Sequence, residues 1–318
     1  MASRLVALLA AVAMIAGALV YRSHRDHTAS TASLRIVCAS ELAAACDAVS
    51  SVAQTTVEPA RVTADRLGKV TDGADPGLDA WLVPGLSPQI VDAERASGLG
   101  SQKPLFRDGE DLASSHVGIA VFPERKTVLD KACGGALTWK CLGDVAAKQT
   151  WKAVGGPEAW GPVKYAIDDP TTTASGLAAL GGLGTGYFAK NELIPSRDDD
   201  AFRDWLHAFA SAVRPGVSVQ SMAAAGPSIA DAAVAVEAIA QPSLGANTHQ
   251  LALVYPQPVP VFSVRLAIAR RGGDIRSDLL APLRKALLAS GWSVPAKTEF
   301  PTSVGLTVLL GLWAEAKA

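Results

Sequence analysis

Three short apolar runs between Leu34 and Pro84 alternate with helix-patterned segments, and this alternation constrains the fold more than any other feature. Leu34–Cys38 (Leu-Arg-Ile-Val-Cys) reads as a strand, and Glu41–Ala53 as a helix with Leu42, Ala45, Val49 and Val52 on one face. Val57–Ala64 reads as a second strand, Asp65–Val70 as a short helix, and Leu78–Pro84 as a third strand. Ser87–Ser97 reads as a helix capped by Ser87. Strands and helices that alternate at this spacing imply βαβ units and a mostly parallel sheet, hence an α/β fold.

The pattern continues less regularly. Leu99–Leu112 reads as loop and Ser114–Phe122 as a long apolar strand. Lys126–Ala132 and Leu142–Ala147 read as short helices. Val163–Ile167 is a strand followed by a helix over Ala174–Lys190, and Ser196 caps a helix over Arg197–Val213. Ser228–Ala240 is rich in Ala, Val and Ile, and Glu237 sits inside it. Gln250–Tyr255 and Val261–Ile268 read as strands separated by Pro256, Pro258 and Pro260. Helices over Arg276–Ser290 and Thr302–Ala316 close the chain.

The stretch with most chemistry is Tyr165–Gly176, Tyr-Ala-Ile-Asp-Asp-Pro-Thr-Thr-Thr-Ala-Ser-Gly. A strand stops at two aspartates and a proline, and hydroxyls follow at Thr171, Thr172, Thr173 and Ser175 before a helix begins. Hydroxyls at a helix N-terminus, where backbone N–H groups are unpaired, suit an anion or a polyol. The same residues also serve as turn and cap, since Asp168 and Asp169 before Pro170 form a turn by themselves. Signatures of catalysis are weak. Gly184-x-Gly186-x-x-Ala189 falls at a helix end rather than after a strand, and neither a Gly-x-Ser-x-Gly elbow nor a phosphate-binding loop occurs. The expectation is a protein that is not an enzyme.

The N-terminus carries an unbroken apolar run, Leu5–Tyr21, with Arg4 before it and Arg22, His24 and Arg25 after it. Seventeen residues sit at the short edge of a spanning helix, about 17–25 residues, and above a usual signal-peptide core of about 7–15. Two readings stay open: a single-pass membrane anchor with an extracytoplasmic domain, or secretion after cleavage near Ala16-Gly17-Ala18. Residues 1–33 are then anchor or signal plus tether. The cysteines agree with an exported chain: there are four, spaced to pair as Cys38 with Cys46 and Cys133 with Cys141. The five histidines are scattered, so no metal site and no cofactor is expected. A net charge of −1 leaves no electrostatic footprint for nucleic acid.

The order of Leu34–Glu41, Leu78–Val83, Ser114–Pro123, Tyr165–Leu177 and Leu251–Ile268 resembles the bacterial extracellular, periplasmic-type solute-binding proteins of the type 2 class, receptors of ABC importers. The resemblance implies two α/β lobes, each a mostly parallel sheet with flanking helices, joined by strands crossing near Val117–Glu124 and Leu253–Phe262. Lobe one is then 34–120 plus 263–318, and lobe two 121–262. It implies a small polar ligand held between the lobes, with an importer permease or another membrane protein as partner. A membrane-anchored interaction or sensor domain without transport is the alternative. By position, the ligand would meet Ser40, Asp79, Trp81, Ser114 and Ser115 from one side. Thr171, Thr172, Thr173, Ser175, Glu237 and Tyr255 would meet it from the other. Ser40 competes with a plain capping role, and Trp81 with a core position.

Overall fold

The structure, a computed structural model, describes residues 34–101, 103–171, 173–188, 199–245, 248–271, 277–296 and 303–317. Leu5–Tyr21, Thr172, Ser196, Arg197 and Asp198 lie outside the described residues. Among the described residues no helix is long and apolar enough to cross a membrane.

Strand β1 (Leu34–Ala39) pairs in parallel with β2 (Ala53–Glu58) and with β3 (Ala80–Pro84). β3 is buried at every residue, as a strand covered on both faces should be. β2 lies one segment earlier than the reading over Val57–Ala64. Its Gln54, Thr55 and Thr56 give it a polar, edge-strand composition, and Pro59 begins helix α2 (Ala60–Leu67) where the second strand was expected. The helix after β1 is also shorter than expected: a turn at Ser40–Leu42 leads into α1 (Ala43–Asp47). Helix α3 (Ser87–Leu99) forms as read, but Leu86 is its N-cap, and the Ser87 hydroxyl instead donates to the Pro84 carbonyl at 3.3 Å.

The second half of the passage expected as loop over Leu99–Leu112 is strand. β4 (Phe106–Val121) runs antiparallel to β8 (Val261–Ala269) from Phe106 to His116, with register shifts between Arg107 and Glu110 and between Asp111 and Ala113. Such bulges hide a strand from pattern reading, because each extra residue flips the alternation. Gly109 sits at the first shift, where a Cβ would fall 2.5 Å from the Leu266 carbonyl oxygen. Beyond His116, β4 changes partners. Val117–Val121 pairs antiparallel with β6 (Ala232–Val236), and Ile119–Val121 with β7 (Ala252–Val254). Two-residue β5 (Tyr165–Ala166) pairs in parallel with β6. The order is β2-β1-β3-β8-β4-β6-β5, with β7 also on β4. The sheet is thus mixed: parallel towards both ends, antiparallel where β3, β8, β4, β6 and β7 meet.

Helices α4 (Pro123–Ala132), α5 (Trp139–Ala147), α6 (Ala174–Phe188), α7 (Asp200–Ala212), α8 (Val219–Ala225) and α9 (Glu237–Leu244) follow, then α10 (Ser277–Ala289) and α11 (Ser303–Lys317). Part of Ser228–Ala240 is therefore strand β6, with the helix starting at Glu237. Every residue of α6 from Ala174 to Gly186 is buried, so this helix is core on all sides. Its glycines buy close approach: a Cβ on Gly186 would lie 2.1 Å from Trp139 Cβ. α11 packs on α3 and on α6 and α7, and Lys317 Nζ donates to the Ala210 carbonyl at 3.0 Å. Disulfides Cys38–Cys46 and Cys133–Cys141 pair as the spacing implied, pinning β1 to α1 and the end of α4 to α5. They fit an oxidising, extracytoplasmic compartment.

Gly143 of α5 faces Trp205 of α7 so closely that an added Cβ would sit 2.0 Å from the indole. Gly143→Ala should therefore destabilise the fold by about 1–3 kcal/mol through overpacking, despite alanine's better helix propensity. Urea denaturation checks this; equal or higher stability would mean that α5 and α7 pack less closely.

Candidate functional site

In the parallel parts of the sheet, strand C-termini meet helix starts, and two such places face each other. β1 ends in the Ser40–Leu42 turn, and the chain after β5 enters α6 through Asp168–Thr173. Glu41 Oε1 accepts a hydrogen bond from the Ala174 backbone N–H at 3.2 Å, although 133 residues separate them. An acid here complements the positive end of the α6 dipole. Its other oxygen, Oε2, is buried and has no hydrogen-bond partner among the described residues. Ser40 itself is exposed, and no side chain caps its turn.

The hydroxyls before α6 form a local network. Thr171 Oγ1 donates to Asp169 Oδ1 at 2.7 Å, and the Thr171 N–H donates to the same oxygen at 2.8 Å. Thr173 Oγ1 donates to the Asp169 carbonyl at 3.0 Å and accepts from the Gly176 N–H at 3.0 Å, a cap on α6. Buried Ser175 donates to Asp168 Oδ2 at 2.5 Å. Gly176 is required: a Cβ there would lie 2.2 Å from the Asp168 carbonyl oxygen. Two cavities flank this turn. One of about 20 Å³, room for about one water, lies between Arg61, Ser87, Ile90 and Thr173. The other, about 170 Å³, lies at the ends of β5 and β6 between Asp168, Ser175, Ser218, Gln220 and Ile239.

A second cluster sits where β4 changes partners. His116 Nδ1 is 3.3 Å from Glu237 Oε2, and its ring meets Tyr255 edge-on with centroids 5.7 Å apart. Burial, and then the hydrogen bond to Glu237, push the Tyr255 hydroxyl well above the ordinary tyrosine range, so it stays protonated as a donor. Ser115 Oγ accepts from the Ala238 N–H at 3.0 Å and so caps α9 from a distance of 123 residues. Ser114 Oγ donates to the Val294 carbonyl at 2.7 Å. Both serines are buried and committed to these bonds.

Asp79 and Trp81 lie away from these clusters. The Asp79 carboxylate accepts from the Arg35 backbone N–H at 2.8 Å and from its guanidinium, at the opposite end of the sheet from Ser40. Trp81 is fully buried against Phe106 and offers no face to a ligand. The residues sequence reasoning passed over are Glu41 and His116. Glu41 is visible as an acid just after a strand, but its target is distant in sequence. Among the described residues, no three His, Cys, Asp or Glu side chains gather as a metal site.

No family model matches the chain, and no curated protein matches it in sequence. Solved structures do match in shape. A periplasmic thiamin binding protein superposes with a TM-score of 0.54 at 11% identity, covering 90% of this chain and 96% of its own. Apo FutA2 from Synechocystis PCC6803 gives 0.53 at 13% identity, covering 89% and 98%. An ABC transporter protein from Clostridium perfringens ATCC 13124 gives 0.50 at 12%, covering 90% and 100%. The chain has the periplasmic-binding-protein fold. The resemblance read from the order of elements is thus matched by the backbone path over nine-tenths of the chain.

Because the Ser115 hydroxyl accepts from the buried Ala238 N–H, Ser115→Ala should cost about 1–2 kcal/mol. Chemical denaturation of the variant measures this, and a change under a few tenths would show that α9 has no need of the cap.

Proposed function

We propose that the protein is an extracytoplasmic solute-binding receptor that closes around a small polar ligand, delivered to an ABC-type importer. The observation that supports this most is the Glu41–Ala174 hydrogen bond. It joins the turn after β1 to the start of α6 at strand C-terminal ends, where ligands bind in open α/β sheets. The partner change along β4 supports reading two lobes, 34–120 plus 263–318 and 121–262. β4 and the β7–β8 segment are the crossings, and α11 is laid against helices of both lobes. About 20 Å³ is free beside Thr173 and about 170 Å³ beside Ser175, so a ligand that touches both sides of the turn needs the lobes to part, a hinge motion.

The ligand walls in this reading are Ser40, Glu41, Thr171, Thr173, Ser175 and Asp168, with Glu237 and Tyr255 near the crossing. Glu41 already occupies the α6 N-terminus that an anion would use. A polyol or an amine, able to donate to the Glu41 and Asp168 carboxylates, fits better than an anion. The apolar run Leu5–Tyr21 would tether the receptor to the membrane surface.

The test is a thermal-shift screen of the full chain in nonionic micelles against polyols, amines, amino acids and oxyanions. A true ligand at a hundredfold excess over its Kd should stabilise by about 2.7 kcal/mol. Glu41→Gln and Ser175→Ala together should abolish the shift. If no class stabilises the protein, or if the double variant responds like the parent, the receptor reading is lost.

A further inference from the structure

A third cavity, of about 350 Å³, lies at the far end of the sheet from Ser40 and Thr173. Its walls are the 71–76 loop, the 103–105 segment entering β4, and Arg270–Arg271 leaving β8. Those walls are held rigidly by one buried side chain. Arg95, 2% exposed, donates from Nε to the Val70 carbonyl at 2.8 Å and from Nη1 to the Lys103 carbonyl at 2.9 Å. Its Nη2 meets Asp72 at 2.9 Å. Asp72 also accepts from Ser101, a hydrogen bond that heads the causes lowering its pKa, and Asp92 fixes the Leu105 N–H at 2.7 Å. The Arg270 N–H closes the frame on the Leu105 carbonyl at 2.9 Å.

The charges on this frame do not balance. Arg95 is answered by Asp72 and Asp92. Lys103, Arg270 and Arg271 are exposed and form no ion pair among the described residues. A further acid on the 71–76 loop, Asp75, is engaged by Arg35, and the field of Arg271 adds only a minor part of its lowered pKa. Gly73, at φ 84°, brings the loop backbone close to this group: a Cβ there would lie 3.5 Å from Arg271 Nη2. A concave, preformed hole lined by Arg95, Lys103, Arg270 and Arg271 against one carboxylate, Asp72, in a chain of net charge −1, suits an anion.

We propose that this cavity binds a phosphate-type anion, with Arg270 and Arg271 gripping its oxygens and Lys103 adding charge from the neighbouring 103–105 segment. Guanidinium groups match phosphate geometry with paired N–H donors. The position suggests where such a group comes from. Leu34 starts β1 at this same end, since the Asp79 N–H pairs with the Arg35 carbonyl and Ala80 lies opposite Ile268. Twelve residues separate Leu34 from the apolar run ending at Tyr21, a span of at most about 40 Å. A phospholipid headgroup and free phosphate both supply the chemistry.

The experiment takes the full chain in nonionic micelles at an ionic strength of about 20 mM. In one arm inorganic phosphate is added, with chloride at matched ionic strength as control. In the other, phosphatidylglycerol or phosphatidylcholine replaces a fraction of the detergent. Thermal midpoints are followed in both. A rise with phosphate alone assigns the site to a soluble anion, and a rise with phosphatidylglycerol alone assigns it to a lipid headgroup. A rise with both establishes the phosphate group as the element recognised. In each case Arg270→Glu/Arg271→Glu should weaken the response at least about tenfold, and Lys103→Glu should weaken it less. These side chains are exposed, so the variants should melt like the parent without additive. No rise in either arm, or a rise that survives the double reversal, overturns the proposal. Both outcomes are independent of whether the cleft near Glu41 binds a ligand.

Discussion

Sixteen residues of β4 hydrogen-bond successively to β8 and then to β6 and β7, and the rest of the molecule hangs on that change of partner. A strand can switch neighbours without leaving buried N–H and C=O groups unpaired only if new strands take over where the old one ends. Here β8 releases β4 at His116, and β6 takes it at Val117. The Val117 N–H also donates to the Pro260 carbonyl at 2.9 Å, which bridges the gap in the ladder. Gly118 permits the crowding that follows, since a Cβ there would meet the Val254 carbonyl oxygen at 2.9 Å. The His116–Glu237–Tyr255 cluster and the Ser115 cap on α9 both sit at this switch, so the polar chemistry of the region is a consequence of strand geometry.

The second constraint is a helix in which ten of the fifteen residues are Gly, Ala, Ser or Thr. α6 is buried on every side, which makes its glycines costly in helix propensity, about 1 kcal/mol each relative to alanine. What offsets the cost is contact: Gly182 and Gly186 admit Trp139, and Gly176 admits the Asp168–Pro170 backbone. The same close approach sets the start of α6 against the turn after β1, where Glu41 reaches it. Packing in the core and the polar lining of the candidate cleft are therefore one arrangement. The cationic cavity at the other end of the sheet is separate from it, organised by Arg95 rather than by helix packing.

What could be read from the residues follows the range of the interactions involved. Strands β1, β3 and β8, helix α3, the long glycine-bearing helix and both disulfides were legible, because apolar period, length and an eight-residue cysteine spacing are local. β2 was displaced because an edge strand alternates polar and apolar residues only weakly. The first half of β4 was hidden because its two register shifts break the period-2 signal. Of the site, the hydroxyl run Thr171–Ser175 was legible as chemistry. Whether the hydroxyls of Thr171, Thr173 and Ser175 were free or engaged was not, since Asp168 and Asp169 take these three up in three dimensions.

The sequence by itself determined the α/β class, the order of most elements, the cysteine pairing and the position of a polar turn ahead of a buried helix. Each follows from periodicity, residue size and spacing within about twenty residues. Only the tertiary structure decided that β4 serves different partners along its length, that Trp81 is core, and that Ser114 and Ser115 are spent on distant backbone groups. It alone brought Glu41 to Ala174 across 133 residues and left Lys103, Arg270 and Arg271 around one cavity. The physical reason is the same in each case: these contacts are made between segments remote in the chain, and no local pattern encodes which remote backbone N–H or carboxylate a side chain will meet.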